Sequence, residues 1–190
     1  MPTTESPTRT LDAQREEYAR RRFIAMPLAG AIAWTLVGVA GLYLKPGTAA
    51  LALFVATGMI AYLGMFLSNF TGERFLDRDK PKNEFDALFF HTVAMALLVY
   101  AVAIPFFRQD LTSLPLGVGV LTGLMWLPFS WCVRHWIGIF HTIVRTLACV
   151  VLWYALPEQR FVAIPFAIVA IYAVTIVVLE RRWRALRSAA

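Results

Sequence analysis

The stretch FVAIPFAIVAIYAVTIVVL, residues 161–179, contains no charged side chain and decides the fold class. At a helical rise of about 1.5 Å per residue, a run of this length spans most of the roughly 30 Å hydrocarbon core of a bilayer. The rest of the chain is similar, because 59% of its residues are hydrophobic and only 16% are charged. With a mean hydropathy of +0.63, the sequence indicates an integral membrane protein rather than a water-soluble domain.

Five further apolar blocks of similar length precede this stretch, at 23–44, 48–70, 86–107, 114–132 and 136–156. Runs this long are not the alternating segments of a membrane barrel, and in lipid a single segment satisfies its own backbone hydrogen bonds only as a helix. We therefore predict an all-α fold, a polytopic membrane helical bundle with six transmembrane helices. The expected division is a cytoplasmic N-terminal tail with a short basic helix (1–22), the six-helix transmembrane domain (23–180) and a basic cytoplasmic C-terminal tail (181–190).

The distribution of cations predicts the orientation of this bundle. Fourteen Lys and Arg residues fall on one side of the predicted membrane, and three, Lys45, Arg108 and Arg160, fall on the other. Cations in short loops are retained in the cytoplasm, so we expect both termini to be cytoplasmic and the protein to lie in a bacterial inner membrane. Membrane orientation also explains the net charge of +6. The lipid bilayer is therefore the expected partner, and nucleic acid is not, because no nucleic-acid-binding motif accompanies the charge.

The tripeptide Phe-His-Thr occurs twice, and it places His91 and His141 at matching depths below the predicted cytoplasmic surface. Similar segments precede both histidines, TGMIAYL from Thr57 and TGLMWL from Thr122. Internal repeats of this kind frame the binding sites of many transporters, which makes these four residues candidates for ligand binding. The alternative is that the histidines are interfacial residues bonded to backbone groups or lipid headgroups.

Arg145 lies one helical turn beyond His141, deep in the fifth apolar block. A charge at this depth costs about 2.5–3.5 kcal/mol on insertion scales, so it needs a compensating interaction. Either the side chain extends along the helix toward the headgroups, or it faces the bundle and pairs with a carboxylate or an anionic ligand. The nearby acids are Asp86 and Glu84 at the start of the third block and Glu73 after the second, and Asp86 is the candidate among them because Glu73 and Glu84 fit solvated loop residues.

Glycine and proline predict where the helices pack. Gly119 and Gly123 form a Gly-x-x-x-Gly step that permits close helix contact, and Pro128 frees a backbone carbonyl within the bundle. Such a step does not distinguish contacts within one chain from contacts between two, so a homo-oligomer stays open. The two cysteines, Cys132 and Cys149, lie at different depths, and we expect no disulfide.

These patterns favour a small set of functions. No catalytic spacing is present, so we assign no catalytic residue and leave enzymatic activity undecided. We expect no metal site, because a structural zinc usually needs four ligands and no Cys or carboxylate lies at the depth of the histidines within a span. We also expect no cofactor, because Phe89, Phe90 and Phe140 occupy the space that a haem would need beside the two histidines. The leading hypothesis is that the protein binds or transports a small solute or ion, such as an anion, through a polar cavity in the cytoplasmic half. The alternatives are a bis-histidine haem redox protein and a non-catalytic scaffold or accessory subunit.

Two segments resemble those of an uncharacterised family of bacterial six-helix integral membrane proteins. They are LTGLMWLPFSW at 121–131 and GAIAWTLVGVAGLYL at 30–44, the latter following a charged lead-in. The resemblance covers most of the chain and implies the fold and a membrane location. It carries no activity and no site residue.

Reporter fusions test the predicted topology. A cytoplasmic reporter fused after Ala190 and a periplasmic reporter placed in the loop at Lys45 should both be active, because the cations are retained inside. Periplasmic activity of a reporter at Ala190 would contradict the orientation.

Overall fold

The chain folds into a bundle of α-helices in a computed structural model that describes residues 9–75 and 82–189. The helices are α1 Leu11–Ala19, α2 Ala25–Tyr43, α3 Pro46–Gly58, α4 Ile60–Thr71, α5 Glu84–Leu98, α6 Tyr100–Gln109, α7 Ser113–Gly123, α8 Trp126–Val133, α9 Ile137–Ala155 and α10 Arg160–Ser188. No strand occurs in these two ranges, and the all-α prediction is confirmed. Residues 1–8 and Ala190 of the predicted tails, and the loop cations Arg78 and Lys80, lie outside the described residues.

Several helical units of the described chain are long and apolar enough to cross a membrane. Five qualify by length and composition: Ala25–Tyr43, Glu84–Gln109, Ser113–Val133, Ile137–Ala155 and Pro157–Ser188. The predicted second span is instead two helices, α3 and α4, that meet at a 48° bend directly after Gly58. Glycine weakens a helix interior and is a common cause of kinks. The bundle has six candidate spans only if this bent pair counts as one, so the number six stays a prediction.

Helices α2 and α10 form the centre of the bundle. They pack against each other, with α3 and α4 beside α2 and with α7 and α9 beside α10. Two glycines of α2 bring the helices close, because a Cβ at Gly30 would stand 2.5 Å from the ring of Tyr172 and one at Gly41 would stand 2.3 Å from the carbonyl oxygen of Phe161. The core side chains around this contact are completely buried, and include Trp34, Val37, Leu53, Val118, Ile164 and Ile168.

The two ends of the described chain meet at the same end of the bundle, which we call the terminal end. Nη2 of Arg182, on α10, donates to the carbonyl oxygen of Ala19 at 2.6 Å, and Nε of Arg22 lies 2.8 Å from the Glu180 carboxylate. At the opposite end, Nη1 of Arg160 donates to the hydroxyl of Thr112 at 2.6 Å. Which end faces the cytoplasm stays a prediction.

The contact between α8 and α9 depends on Gly138. A Cβ at this position would stand 2.3 Å from the carbonyl oxygen of Trp126 and 2.7 Å from the Cβ of Ser130. Gly138→Ala should therefore destabilise the protein by about 1–3 kcal/mol through overpacking. Gly117→Ala is the matched control, because no atom lies within 4 Å of its added Cβ, and it should leave stability unchanged or raise it. Thermal unfolding in detergent would measure both, and equal stability of the two variants would contradict this account.

Candidate functional site

Arg145 is the centre of a polar cluster inside the bundle, and its side chain is completely buried. Its Nε donates to the carbonyl oxygen of Gly119 at 2.7 Å, and Nη2 donates to the hydroxyl of Thr122 at 2.8 Å. Nη1 donates to the hydroxyl of Tyr172 at 3.1 Å. The guanidinium group of α9 thus joins α7 and α10, and it does not extend toward either end of the bundle.

His141 lies one turn before Arg145 and is also completely buried. Its Nδ1 is 2.9 Å from the hydroxyl oxygen of Thr175, and that hydroxyl donates its own proton to the carbonyl oxygen of Ile171 at 2.8 Å. Thr175 therefore accepts, Nδ1 carries the imidazole proton, and the free lone pair of Nε2 faces Nη1 of Arg145 at 3.4 Å. This assignment makes His141 a neutral acceptor for the arginine. We call Thr122, His141, Arg145, Tyr172 and Thr175 the arginine cluster.

The charge of Arg145 has no carboxylate partner among the described residues. The ion pairs of residues 9–75 and 82–189 all involve other cations, and Arg145 is satisfied by neutral oxygen and nitrogen acceptors. The rings of Trp34 and Tyr172 add electron-rich faces at 5.4 and 5.5 Å from its Cζ. A desolvated cation gains from such faces and from neutral acceptors. The arginine cluster therefore links α7, α9 and α10 by hydrogen bonds.

The structure brings together three of the six predicted ligand-binding residues, Thr122, His141 and Arg145, and places the others elsewhere. His91 is exposed on α5, with Nδ1 2.7 Å from the carbonyl oxygen of Ala87. Thr57 contacts the hydroxyl of Tyr100, and Asp86 pairs with Arg21 at 2.5 Å. These three residues make no contact with the arginine cluster.

The haem alternative needs two histidines that share one site, and the described geometry separates them. His91 carries its bond to its own helix, whereas both ring nitrogens of His141 are engaged within the arginine cluster. In the described part of the chain, no group of three or more His, Cys, Asp or Glu side chains is arranged to hold a metal ion. The two cysteines, Cys132 and Cys149, are free and buried.

The two glycines predicted to lie at a helix contact do so within the chain. A Cβ at Gly119 would meet the Sγ of Cys149 at 3.0 Å, and one at Gly123 would meet the Cδ of Arg145 at 3.0 Å. The Gly-x-x-x-Gly step therefore lets α7 approach α9 and leaves room for the arginine. Pro128, expected within the bundle, is instead exposed and lines a separate cavity at the terminal end.

This cavity, which we call the terminal cavity, has a volume of about 480 Å³ and lies between α5 and the N-terminal part of the bundle. Its walls come from α2, α5, α8 and the residues just before α2 and α8. They are mainly aromatic and sulfur-containing, with Phe23, Met26, Phe89, Met125, Trp126 and Phe129 among them. Its rim is charged and carries Arg21, Arg22, Glu73, Arg74, Lys82, Glu84 and Asp86. Ligand sites in proteins have volumes of ~300–1,000 Å³ and combine apolar walls with a few polar groups.

Most of the rim charges are held by contacts within the chain. The terminal nitrogens of Arg21 lie 2.5 Å from Asp86 and 2.6 Å from Glu17, which joins α1 to α5. Arg22 donates through Nε to Glu180 at 2.8 Å and through Nη1 to the carbonyl oxygen of Thr71 at 2.9 Å. Its Nη2 makes no hydrogen bond with any described residue.

The Glu73 carboxylate caps the start of α2, where Oε1 accepts from the backbone N–H groups of Ile24 at 3.0 Å and Ala25 at 2.8 Å. Burial raises the pKa of this carboxyl above its usual value, against the opposing effect of those two N–H groups. For Glu17, burial would raise the pKa, but the hydrogen bonds from Arg21, Arg9 and Asn83 outweigh it and lower the pKa. Glu17 therefore keeps its charge, and the hydrogen bond that it accepts from Asn83, the residue before α5, persists at neutral pH.

Trp126 separates the terminal cavity from the arginine cluster. Its ring lines the cavity and stacks on the imidazole of His141, with ring centroids 4.3 Å apart and planes inclined by 21°. No residue of the arginine cluster lines the cavity. A ligand in the cavity therefore contacts Trp126 and not the guanidinium group of Arg145.

Sequence reasoning missed the two partners on α10, Tyr172 and Thr175, and the backbone acceptor at Gly119. Tyr172 and Thr175 are the polar side chains in the apolar stretch 161–179, three residues apart and so on one face of a helix. That spacing was the available signal for them. The role of the Gly119 carbonyl oxygen could not be predicted from the sequence, because every residue has a backbone carbonyl group whatever its side chain. The sequence feature that could have indicated the cavity is the pair Arg21 and Arg22 directly before Phe23, which combines cations with an aromatic side chain.

Arg145→Lys tests whether the hydrogen bonds of Arg145 to α7 and α10 stabilise the bundle. Lysine has one nitrogen, and it cannot reach Gly119, Thr122 and Tyr172 together as the planar guanidinium group does. We expect the free energy of unfolding to fall by about 1–3 kcal/mol, measured by unfolding in detergent. Arg181→Lys is the control, because Arg181 is exposed on α10, and it should change stability by less than about 0.5 kcal/mol. If Arg145→Lys unfolds with the same free energy as the wild type, the planar set of donors on the guanidinium group is not needed for stability.

Comparison with known proteins identifies a family and no activity. None of the curated proteins compared matches the chain, and no solved structure does. Residues 11–182 match a family of unknown function, DUF7010, so the match includes every helix except the end of α10. This confirms the resemblance to an uncharacterised family that the sequence indicated. The chain is therefore a member of the family of unknown function DUF7010.

Proposed function

We propose that this protein lies in a membrane and binds a small amphipathic molecule with an anionic group in the terminal cavity. The observation that carries the proposal is the cavity itself, which has aromatic and methionine walls, a charged rim and about 480 Å³ of space. The proposal keeps the binding function expected from the sequence but moves the site away from the paired histidines.

The membrane location is supported by the outer surface of the helices. Large apolar side chains are exposed on five of the candidate spans and on the bent pair, among them Leu36, Val55, Phe66, Leu98, Phe106, Leu147 and Val177. Soluble monomers rarely expose contiguous apolar patches of more than a few hundred Å². We propose that the terminal end faces the cytoplasm of a bacterial inner membrane, because it gathers Arg9, Arg15, Arg21, Arg22 and Arg182.

An amphipathic ligand fits the division of the cavity into two parts. An apolar chain placed between Met26, Phe89 and Met125 would exclude water from these side chains, at about 25 cal/mol per Å² of apolar surface removed from water. Its anionic group would remain at the rim, near Nη2 of Arg22 and the ammonium group of Lys82. Lys82 is exposed, and its side chain makes no hydrogen bond or ion pair with a described residue.

An ion path through the arginine cluster is less well supported. Arg145 and His141 are completely buried, and Trp126 stands between them and the cavity. The donors of Arg145 are directed at three helices of the same chain. Releasing them for a passing anion would leave buried polar groups unpaired, at about 1–3 kcal/mol each.

Decyl phosphate, which has one apolar chain and one phosphate, is a suitable first probe. Native mass spectrometry of the protein in nonionic detergent should find one decyl phosphate per chain, because the cavity accepts the chain and the rim accepts the phosphate. Inorganic phosphate should bind far more weakly, since it lacks the apolar part.

The matched variants are two alanine-to-tryptophan substitutions on α5. Ala87 lines the cavity, whereas Ala94, two turns farther along the same helix, is exposed and does not line it. Ala87→Trp should fill the space and lower the affinity for decyl phosphate by about tenfold or more, and Ala94→Trp should bind like the wild type. Unchanged binding by Ala87→Trp would overturn the proposed site.

A further inference from the structure

Among the described residues, the polar contacts of α5, the outer wall of the terminal cavity, with other parts of the chain lie near its two ends, and the ring of Phe89 packs 5.8 Å from that of Phe75. At its start, Nδ2 of Asn83 donates to the carbonyl oxygen of Gln14 at 2.8 Å, and Asp86 pairs with Arg21. Beyond its end, Tyr100 contacts Thr57 through their hydroxyl groups. Between residues 86 and 102, none of the described side chains is buried.

The cavity is closed on the side of α1. The ring of Tyr18 is only 5% exposed, and it lies 5.0 Å from the ring of Phe23 and 5.8 Å from that of Phe85. Together with the ion pair between Arg21 and Asp86, these rings close the end of the cavity that α1 covers.

The cavity is open toward the lateral surface of the bundle. Leu88 and Phe90 of α5 both line it, yet they are 39% and 45% exposed, and Pro128 of α8 lines it and is exposed as well. In a membrane, side chains on this lateral surface face acyl chains. The apolar part of the cavity is therefore continuous with the surface that lipid would cover.

The charged rim supplies the complementary feature for a phosphate. The guanidinium group of Arg22 is held by Glu180, by the carbonyl oxygen of Thr71 and by the ring of Trp183, whose centroid lies 4.6 Å from its Cζ. This leaves Nη2 as a donor in a fixed position, and Lys82 adds a second cation on the same rim. Arginine and lysine are the side chains that bind phosphate groups most often.

Resting on the proposed function, we infer that the occupant of the terminal cavity is an anionic phospholipid that enters from the bilayer beside α5. One acyl chain lies in the cavity, and the phosphate contacts Arg22 and Lys82 at the rim. The second chain remains in the bilayer, because a two-chain lipid exceeds the cavity and its lateral side is open. A water-soluble amphiphile would instead have to pass the contacts between α1 and α5.

The test uses the full-length protein reconstituted in vesicles of phosphatidylcholine with a minority of phosphatidylglycerol. After solubilisation in nonionic detergent, native mass spectrometry should find one phosphatidylglycerol per chain, enriched over its share of the bilayer. A diacylglycerol with the same chains should be retained far less, because it has no phosphate. Glycerol 3-phosphate, which has no acyl chain, should not displace the bound lipid.

Four variants separate the parts of the inference. Ala87→Trp should abolish the retained phosphatidylglycerol, and Ala94→Trp should not, with Thr92→Trp as a second cavity-filling variant if Ala87→Trp fails to fold. Lys82→Gln should lower the retained phosphatidylglycerol about fivefold, since a cation near the headgroups attracts an anionic lipid. Lys45→Gln, at the opposite end of the bundle, should leave it unchanged.

The outcomes for the two proposals are distinguishable. If decyl phosphate binds and Ala87→Trp blocks it, but phosphatidylglycerol is not retained, the proposed function stands and the lipid inference is wrong. If phosphatidylglycerol is retained equally by Ala87→Trp and the wild type, it is annular lipid only, and the inference is wrong. If Ala87→Trp changes the binding of neither probe, both proposals fail.

Discussion

The buried guanidinium group of Arg145 is the interaction on which the rest of the bundle depends. A cation in an apolar interior must be surrounded by acceptors, and here they come from α7, α9 and α10 at 2.7–3.4 Å. Gly123 leaves the space for its side chain, since a Cβ there would stand 3.0 Å from the Cδ. The positions of three helices are thus specified by one side chain, in a fold whose apolar contacts alone are less directional.

Arginines at the terminal end perform a related task at the ends of helices. The last carbonyl groups of a helix have no partner within it. Arg15 contacts the carbonyl oxygens of Trp131 and Cys132 near the end of α8, Arg22 that of Thr71 at the end of α4, and Arg182 that of Ala19 at the end of α1. A contact between a cation and the end of a helix is favourable, because the carbonyl end of a helix carries a partial negative charge. The cations that predict membrane orientation therefore also fasten the helices to one another, and few remain available to a ligand.

The division of polar groups between the arginine cluster and the terminal cavity places stability and binding in different parts of the molecule. The polar groups of the arginine cluster are buried and bonded to one another. The cavity, in contrast, is open on one side and is covered by α5, a helix with few tertiary contacts. Trp126 touches both, since it lines the cavity and stacks on His141. Binding sites are commonly found where packing is incomplete, because a fully packed core leaves no space for a ligand.

The sequence by itself determined the helical class, because long uncharged runs satisfy their backbone in lipid only as helices. It also singled out Arg145, because the cost of a charge in an apolar run can be read from the sequence, and it placed His141 on the same helix face. The partner expected for Arg145 was a carboxylate or an anion, whereas the structure shows neutral acceptors from α7 and α10. It did not show that α3 and α4 bend by 48°, nor that His91 lies on the exposed surface of α5 while His141 is completely buried. Two identical tripeptides have equal local properties, and the direction in which each side chain faces is set by the neighbouring helices. The cavity likewise exists only in the tertiary structure, because it is formed by the space between α5 and side chains of α2 and α8 that are far from it in the chain.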